Sequence, residues 1–159
     1  MKRLILFFLL AFILYSGNNL YAGDFKILIK YLDGEHSKDS WSKESTITID
    51  ERDYSYTMNG SGHVKPQSED KNGTFTGDQY QKIKTYILDK NLLKNDSLFD
   101  ESTKYSSFER YTNTEIKIFV DTNVYTIRYN GDIQNLKDSL LYQNSIGLIN
   151  LIMDFIKNE

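Results

Sequence analysis

The stretch that decides the fold is Phe25-Lys-Ile-Leu-Ile-Lys-Tyr31. Phe25, Ile27, Ile29 and Tyr31 alternate with Lys26, Leu28 and Lys30, and a period of two puts the first set on one face of a β-strand. Asp33-Gly34 ends the run. Downstream, Thr46-Ile-Thr-Ile-Asp50 alternates again, and the polar turn Asp50-Glu-Arg-Asp53 leads into Tyr54-Ser-Tyr-Thr-Met58. Three such segments in succession predict an antiparallel meander. The stretches between and after them, 33–44 and 59–74, are polar and carry Gly60, Gly62, Pro66 and Gly73. They are expected as loops, the second being the longest in the chain.

Beyond the meander the period changes. Thr76-Gly-Asp-Gln79 fits a capping box, in which hydroxyl and amide side chains satisfy each other's free backbone N–H groups. A helix is expected from there to about Lys90, burying Tyr80, Ile83, Ile87 and Leu88, with Asn91 as its stop. Residues 94–111 are expected as irregular chain with a short helix. Thr114–Val120 and Val124–Tyr129 flank Asp121-Thr-Asn123 as a hairpin, closed by Asn130-Gly131. Tyr142, Ile146, Ile149, Met153 and Ile156 recur at helical spacing, with Leu148, Leu151, Ile152 and Phe155 widening the stripe. So wide a stripe predicts a helix from about Leu141 to Lys157 lying against a sheet. The order β-β-β-α-β-β-α is that of an α+β domain: an antiparallel sheet of about five strands with two helices packed on one face.

Working back to the N-terminus, Lys2 and Arg3 precede an apolar run of 12 residues from Leu4 to Tyr15, and Ser16-Gly-Asn-Asn19 breaks it. That layout is a secretory signal peptide, with cleavage expected after Ala22. The run is too short to span a bilayer, so no stable membrane anchor is expected after cleavage. The domains are then 1–22, the leader, and 23–159, a single α+β domain, secreted or periplasmic. Of the 159 residues, 19 are Lys or Arg and 22 Asp or Glu; removing Lys2 and Arg3 takes the net charge from −3 to −5. Such a balance argues against nucleic acid as a partner. With no Cys there is no thiol nucleophile and no disulfide framework.

Motifs for chemistry are sparse. His36 and His63 lie in the polar loops without a second ligand at metal spacing and read as solvated. Ser68 to Gln79 loosely follows a calcium loop, but Ser and Gln stand where the strongest carboxylates belong. No nucleophile elbow, phosphate loop, dinucleotide fingerprint or zinc-protease helix is present. Neither a cofactor nor a catalytic residue is therefore expected, and the domain reads as non-enzymatic.

The aromatics offer the other lead. Tyr54 and Tyr56 share one strand face, Tyr125 and Tyr129 another, and Trp41 stands in the 33–44 loop. Facing water, these rings would form a recognition platform; alternation alone does not decide which set of the second hairpin strand faces the core. The order of elements, with Leu92-Leu93 after the first helix, Leu98-Phe99, a hairpin and a Leu/Ile-rich closing helix, resembles the emfourin-like inhibitors of metalloproteases over residues 25–157. Members of that family often carry Gly-Gly-Phe after the first strand, where this chain has Leu32-Asp-Gly-Glu35, so no functional residue is carried over. The resemblance implies binding to a protein, in particular a secreted protease. The expectation is an exported binding protein that presents residues 33–44 and 59–74 to a protein partner. The alternatives are a small-ligand or carbohydrate-binding envelope protein using Tyr side chains, and a hydrolase whose acids meet only in space.

Overall fold

The computed structural model describes residues 25–35, 41–62, 68–100 and 110–158. The expected leader with its cleavage site, and His36 and His63, lie outside these residues. Seven strands form one sheet: β1 Phe25–Glu35, β2 Trp41–Asp50, β3 Asp53–Gly62, β4 Ser68–Thr74, β5 Asp96–Phe99, β6 Tyr111–Val120 and β7 Asn123–Asp132. The helices are α1 Gly77–Asp89, the single turn α2 Ile133–Leu136, and α3 Leu140–Lys157. The sheet order is β4-β3-β2-β1-β6-β7-β5. All pairs are antiparallel except β5 with β7, which is parallel.

The α+β class holds, and the sheet is larger than five strands and mixed. Two strands escape the alternation rule for physical reasons. β4 is a polar edge strand (SEDKNGT) with no apolar face to betray it, as suits an edge that must not recruit other strands. β5 has four residues and pairs with residues 31 positions later in the chain. The expected loops also shrink. Residues 33–35 and 41–44 continue β1 and β2, while 59–62 and 68–74 belong to β3 and β4. In β4, Ser68, Asp70 and Asn72, the alternate oxygens of the calcium-loop reading, share one face of an extended strand, where successive side chains stand about 7 Å apart in a line instead of wrapping round one cation. The short helix expected within 94–111 gives way, in its described part, to β5.

Turn chemistry explains the hairpins. Asp50 pairs with Asp53 and Val120 with Asn123, leaving two-residue turns whose first members, Glu51 (φ 54°) and Asp121 (φ 53°), adopt the left-handed conformation favoured in tight hairpins. α1 begins with the expected reciprocal cap: Gln79 N–H donates to the Thr76 hydroxyl (3.2 Å) and Thr76 N–H to the Gln79 amide oxygen (2.8 Å). It ends in a Schellman motif, with Asn91 at φ 51° and bonds Asn91 N–H to Leu88 O (3.0 Å) and Leu92 N–H to Ile87 O (2.9 Å).

Register aligns the side chains in rows across the sheet. On the helix-covered face one row reads Tyr54–Ile49–Ile27–Ile118–Tyr125 and the next Tyr56–Ile47–Ile29–Ile116–Ile127. α1 covers this face with Ile83 and Ile87, α3 with Leu148, Ile149, Ile152, Met153 and Ile156. All belong to one core. Phe75 ties both layers together, stacking on Tyr54 (centroids 4.7 Å) and meeting Phe155 edge-on (6.2 Å). The helices touch where Tyr86 donates to Asn144 O (3.3 Å); Gly147 permits that approach, since a Cβ there would strike the Tyr86 hydroxyl. Among the described residues no helix is long and apolar enough to cross a membrane.

Candidate functional site

Both long helices pack on one face, and among the described residues no helix covers the other. Its rows follow from the same register. One reads Thr57–Thr46–Lys30–Glu115–Arg128, the next Asn59–Glu44–Leu32–Asn113–Asn130, and Phe99 of β5 flanks Asn130. At their centre lies a depression of about 340 Å³ lined by Lys30, Leu32, Glu44, Phe99, Asn113, Glu115 and Arg128, with Tyr31 and Thr114 beneath. That volume is at the lower end of those typical of ligand sites.

Charge organises its floor. Arg128 donates to Glu115 Oε1 through both Nε and Nη2 (each 2.8 Å), and Lys117 Nζ lies 3.1 Å from Glu115 Oε2. Partial burial works to raise the Glu115 pKa, but the bonds from Lys117 and Arg128 outweigh it and hold the carboxyl below its usual value. Among the described residues Lys30 makes no ion pair, so three cations surround one neutralised carboxylate, with Glu44 in the neighbouring row. Apolar surface adjoins them: Phe99 is 57% exposed, and Leu28, Leu32 and Phe119 are half-buried with no covering layer among the described residues.

The aromatic residues singled out in the sequence occupy the opposite side. Tyr54, Tyr56 and Tyr129 are buried in the core, and Tyr125 packs half-buried against it. They form no water-facing platform: Tyr54, Tyr56 and Tyr125 stand across the ladder from Ile49, Ile47 and Ile118 of the helix-covered face, and Tyr129 stands on that same face opposite Thr114 and Leu98. Tyr129 meets Tyr142 of α3 edge-on at 5.2 Å. Trp41 alone stands clear, half-buried at the end of β2 rather than in a loop, its indole N–H donating to Glu35 Oε2 (3.0 Å).

Toward that end the helix-side face turns polar. The third row is Met58–Ser45–Tyr31–Thr114–Tyr129 and the fourth Gly60–Lys43–Asp33–Thr112–Gly131. Burial raises the phenol pKa of Tyr31, Tyr129 and Tyr142 and pushes Tyr56 up to about 12; the Ser45 hydroxyl bonds Tyr31 and Tyr56 and counters part of this. Asp33 is also raised by burial, against the lowering effects of the Thr112 hydroxyl and the Arg110 and Lys43 charges. Tyr129 and Tyr142 sense that carboxyl as well.

A raised carboxyl has a definite sign in stability. The folded state holds the Asp33 proton more tightly than the unfolded chain, so the contribution is most favourable below the ordinary value of 3.8 and declines as pH rises through the folded value. Asp33→Asn keeps the shape and removes the charge that burial disfavours among Tyr31, Lys43, Arg110, Thr112, Tyr129 and Tyr142. The variant is expected to melt above the parent at pH 7, with the two melting temperatures converging below pH 3.8. A variant that melts lower at pH 7 would mean the ionised carboxylate stabilises the fold. Among the described residues no group of three or more His, Asp or Glu side chains could hold a metal ion.

No family model matches the chain, and no curated protein matches it.

Proposed function

We propose that this is an exported, non-enzymatic binding protein that engages a protein partner through the open face of its sheet. One observation carries the reading: among the described residues helices cover only one face of the seven-stranded sheet, and the other holds a depression lined by Lys30, Glu115 and Arg128 and rimmed by exposed Phe99. The complementary surface is a protein loop presenting a carboxylate beside an apolar side chain. Aromatic and arginine side chains are the usual energetic centres of such contacts. The basic leader with its 12-residue apolar run supports placement outside the cytoplasm, where secreted proteases are one class of candidate partner.

The test uses the mature protein as bait in its native compartment, beside Phe99→Asp and Arg128→Glu. A partner held by the parent and lost by both variants, each still folded by circular dichroism, is the expected result. Its protease activity, if any, should fall on titration with the parent only. Retention by both variants would sink the reading. Capture of a small molecule instead of a protein at the same residues would replace the partner class with a ligand.

A further inference from the structure

We propose that the open face of the sheet forms a symmetric homodimer, two copies stacking face to face about a two-fold axis parallel to the strands. This rests on the reading of that face as a protein-binding surface and names a second copy of the chain as its occupant. The face divides at the boundary between β1 and β2. Asp70 of β4 extends the row Thr57–Thr46–Lys30–Glu115–Arg128 at its far end. In this row and the two beside it, β2, β3 and β4 contribute the acids Glu44 and Asp70 and otherwise only Ser, Thr and Asn. In the same rows β1, β6 and β7 contribute Lys30, Lys117 and Arg128 around Glu115, with Leu28 and Leu32. Lys117 and Arg128 share Glu115, so one half keeps two positive charges and the other, through Glu44 and Asp70, two negative ones. Lys30, Glu44, Asp70 and Arg128 are all exposed. Among the described residues Lys30, Glu44 and Asp70 make no ion pair.

Symmetry then selects the arrangement. A two-fold lying in the interface perpendicular to the strands would set the cationic half of each copy on the cationic half of the other. A two-fold parallel to the strands exchanges the halves, so that each cationic half meets an acidic one and the same contact forms twice. It also keeps the strands of the two sheets aligned, as in stacked sheets generally. With the axis between β1 and β2, β7 of one copy lies over β4 of the other, and each row faces itself. Arg128 then stands opposite Asp70 of the second copy. Side-chain length matches as well: Leu28 and Lys30 project over Thr48 and Thr46 of the second copy, so long side chains meet short ones. The acidic half argues against an anionic lipid surface as the occupant, because Glu44 and Asp70 would face it.

Sedimentation velocity on the purified mature protein tests this with no other partner present. A monomer–dimer equilibrium that weakens as salt rises is expected. Arg128→Asp and Asp70→Arg should each weaken association about tenfold or more, since each sets like charges together at both symmetric contacts. The double variant restores the pair with its polarity reversed and should recover most of the loss. Glu115 keeps Lys117 when Arg128 is changed, Asp70 is exposed on an edge strand, and circular dichroism checks that each variant is folded. Asp89→Lys, exposed on α1, alters the net charge as much as Asp70→Arg and should leave association unchanged. A dimer in a protein that captures nothing else from its compartment would uphold this inference alone. A monomer at every concentration up to about 1 mM would overturn it and leave the face to a different protein. A dimer indifferent to both single reversals, or a double variant no tighter than either, would overturn it too.

Discussion

Phe75→Ala is expected to remove about 3–5 kcal/mol of stability, the largest loss from any single truncation proposed here. The side chain is wholly buried between the end of β4 and the start of α1. Its backbone N–H donates to Arg52 O (2.8 Å), anchoring it to the β2–β3 turn. Its ring stacks on Tyr54 and meets Phe155, so one residue, just ahead of α1, joins the sheet to α3. Truncation opens a cavity between Tyr54 of β3 and Phe155 of α3, and neither element can close it without dragging the other. Domains of this size have about 5–15 kcal/mol in total. A urea midpoint lower by more than about 1 M is the expected reading. Phe75→Leu, which refills most of the volume, should lose far less. An alanine variant within about 1 kcal/mol of the parent would show that Phe75 does not join the layers.

Gly131→Ala is expected to cost about 2–4 kcal/mol and to loosen β5 in particular. Gly131 sits at φ 152°, a conformation that side chains rarely adopt, and is buried against Asp100. An added Cβ would collide with the Asp100 Cβ and lie 3.3 Å from its backbone nitrogen. That nitrogen donates to Asn130 O (2.9 Å), and the Asp100 carboxylate accepts from Asn135 Nδ2 (2.7 Å). Displacing Asp100 therefore releases the end of a four-residue strand that carries Phe99 into the open-face depression. Hydrogen exchange should show β5 amides losing protection before those of β1 or β6. Partner capture should weaken in the molecules that stay folded. Gly77→Ala is the control: nothing lies within 4 Å of its added Cβ. Uniform loss of protection across the sheet would contradict the local account.

Much of this architecture was legible where side chains alternate against a buried neighbour. Phe25 to Tyr31, Thr46 to Asp50 and Thr114 to Val120 lie on central strands, and packing imposes their pattern. The α1 caps were legible for a different reason, being satisfied within a few residues of chain. β4 and β5 were not, since an edge strand has no second neighbour to impose a pattern and a four-residue strand has no period to measure. The tyrosines show the limit most clearly. Tyr129 turns inward because Thr114 and Tyr31 share its row, a fact of register that β7 alone does not contain. One signal for the open face was present: Leu28 and Leu32 stand on the side of β1 opposite Ile27 and Ile29, and apolar residues on a face that no described helix covers are a feature worth reading as exposed surface.

The position of β1 also sets a clock. It lies near the start of the chain yet at the centre of the sheet, paired on one side with β2, its immediate successor, and on the other with β6, where Lys26 meets Phe119. A growing chain can zip the first hairpins as they emerge. The β1–β6 pairing must wait until the chain has been made as far as Phe119, and closing so distant a pairing is intrinsically slow. Until then one edge of β1 is unpaired, and the hairpins already formed lack the β6–β7–β5 part of the sheet.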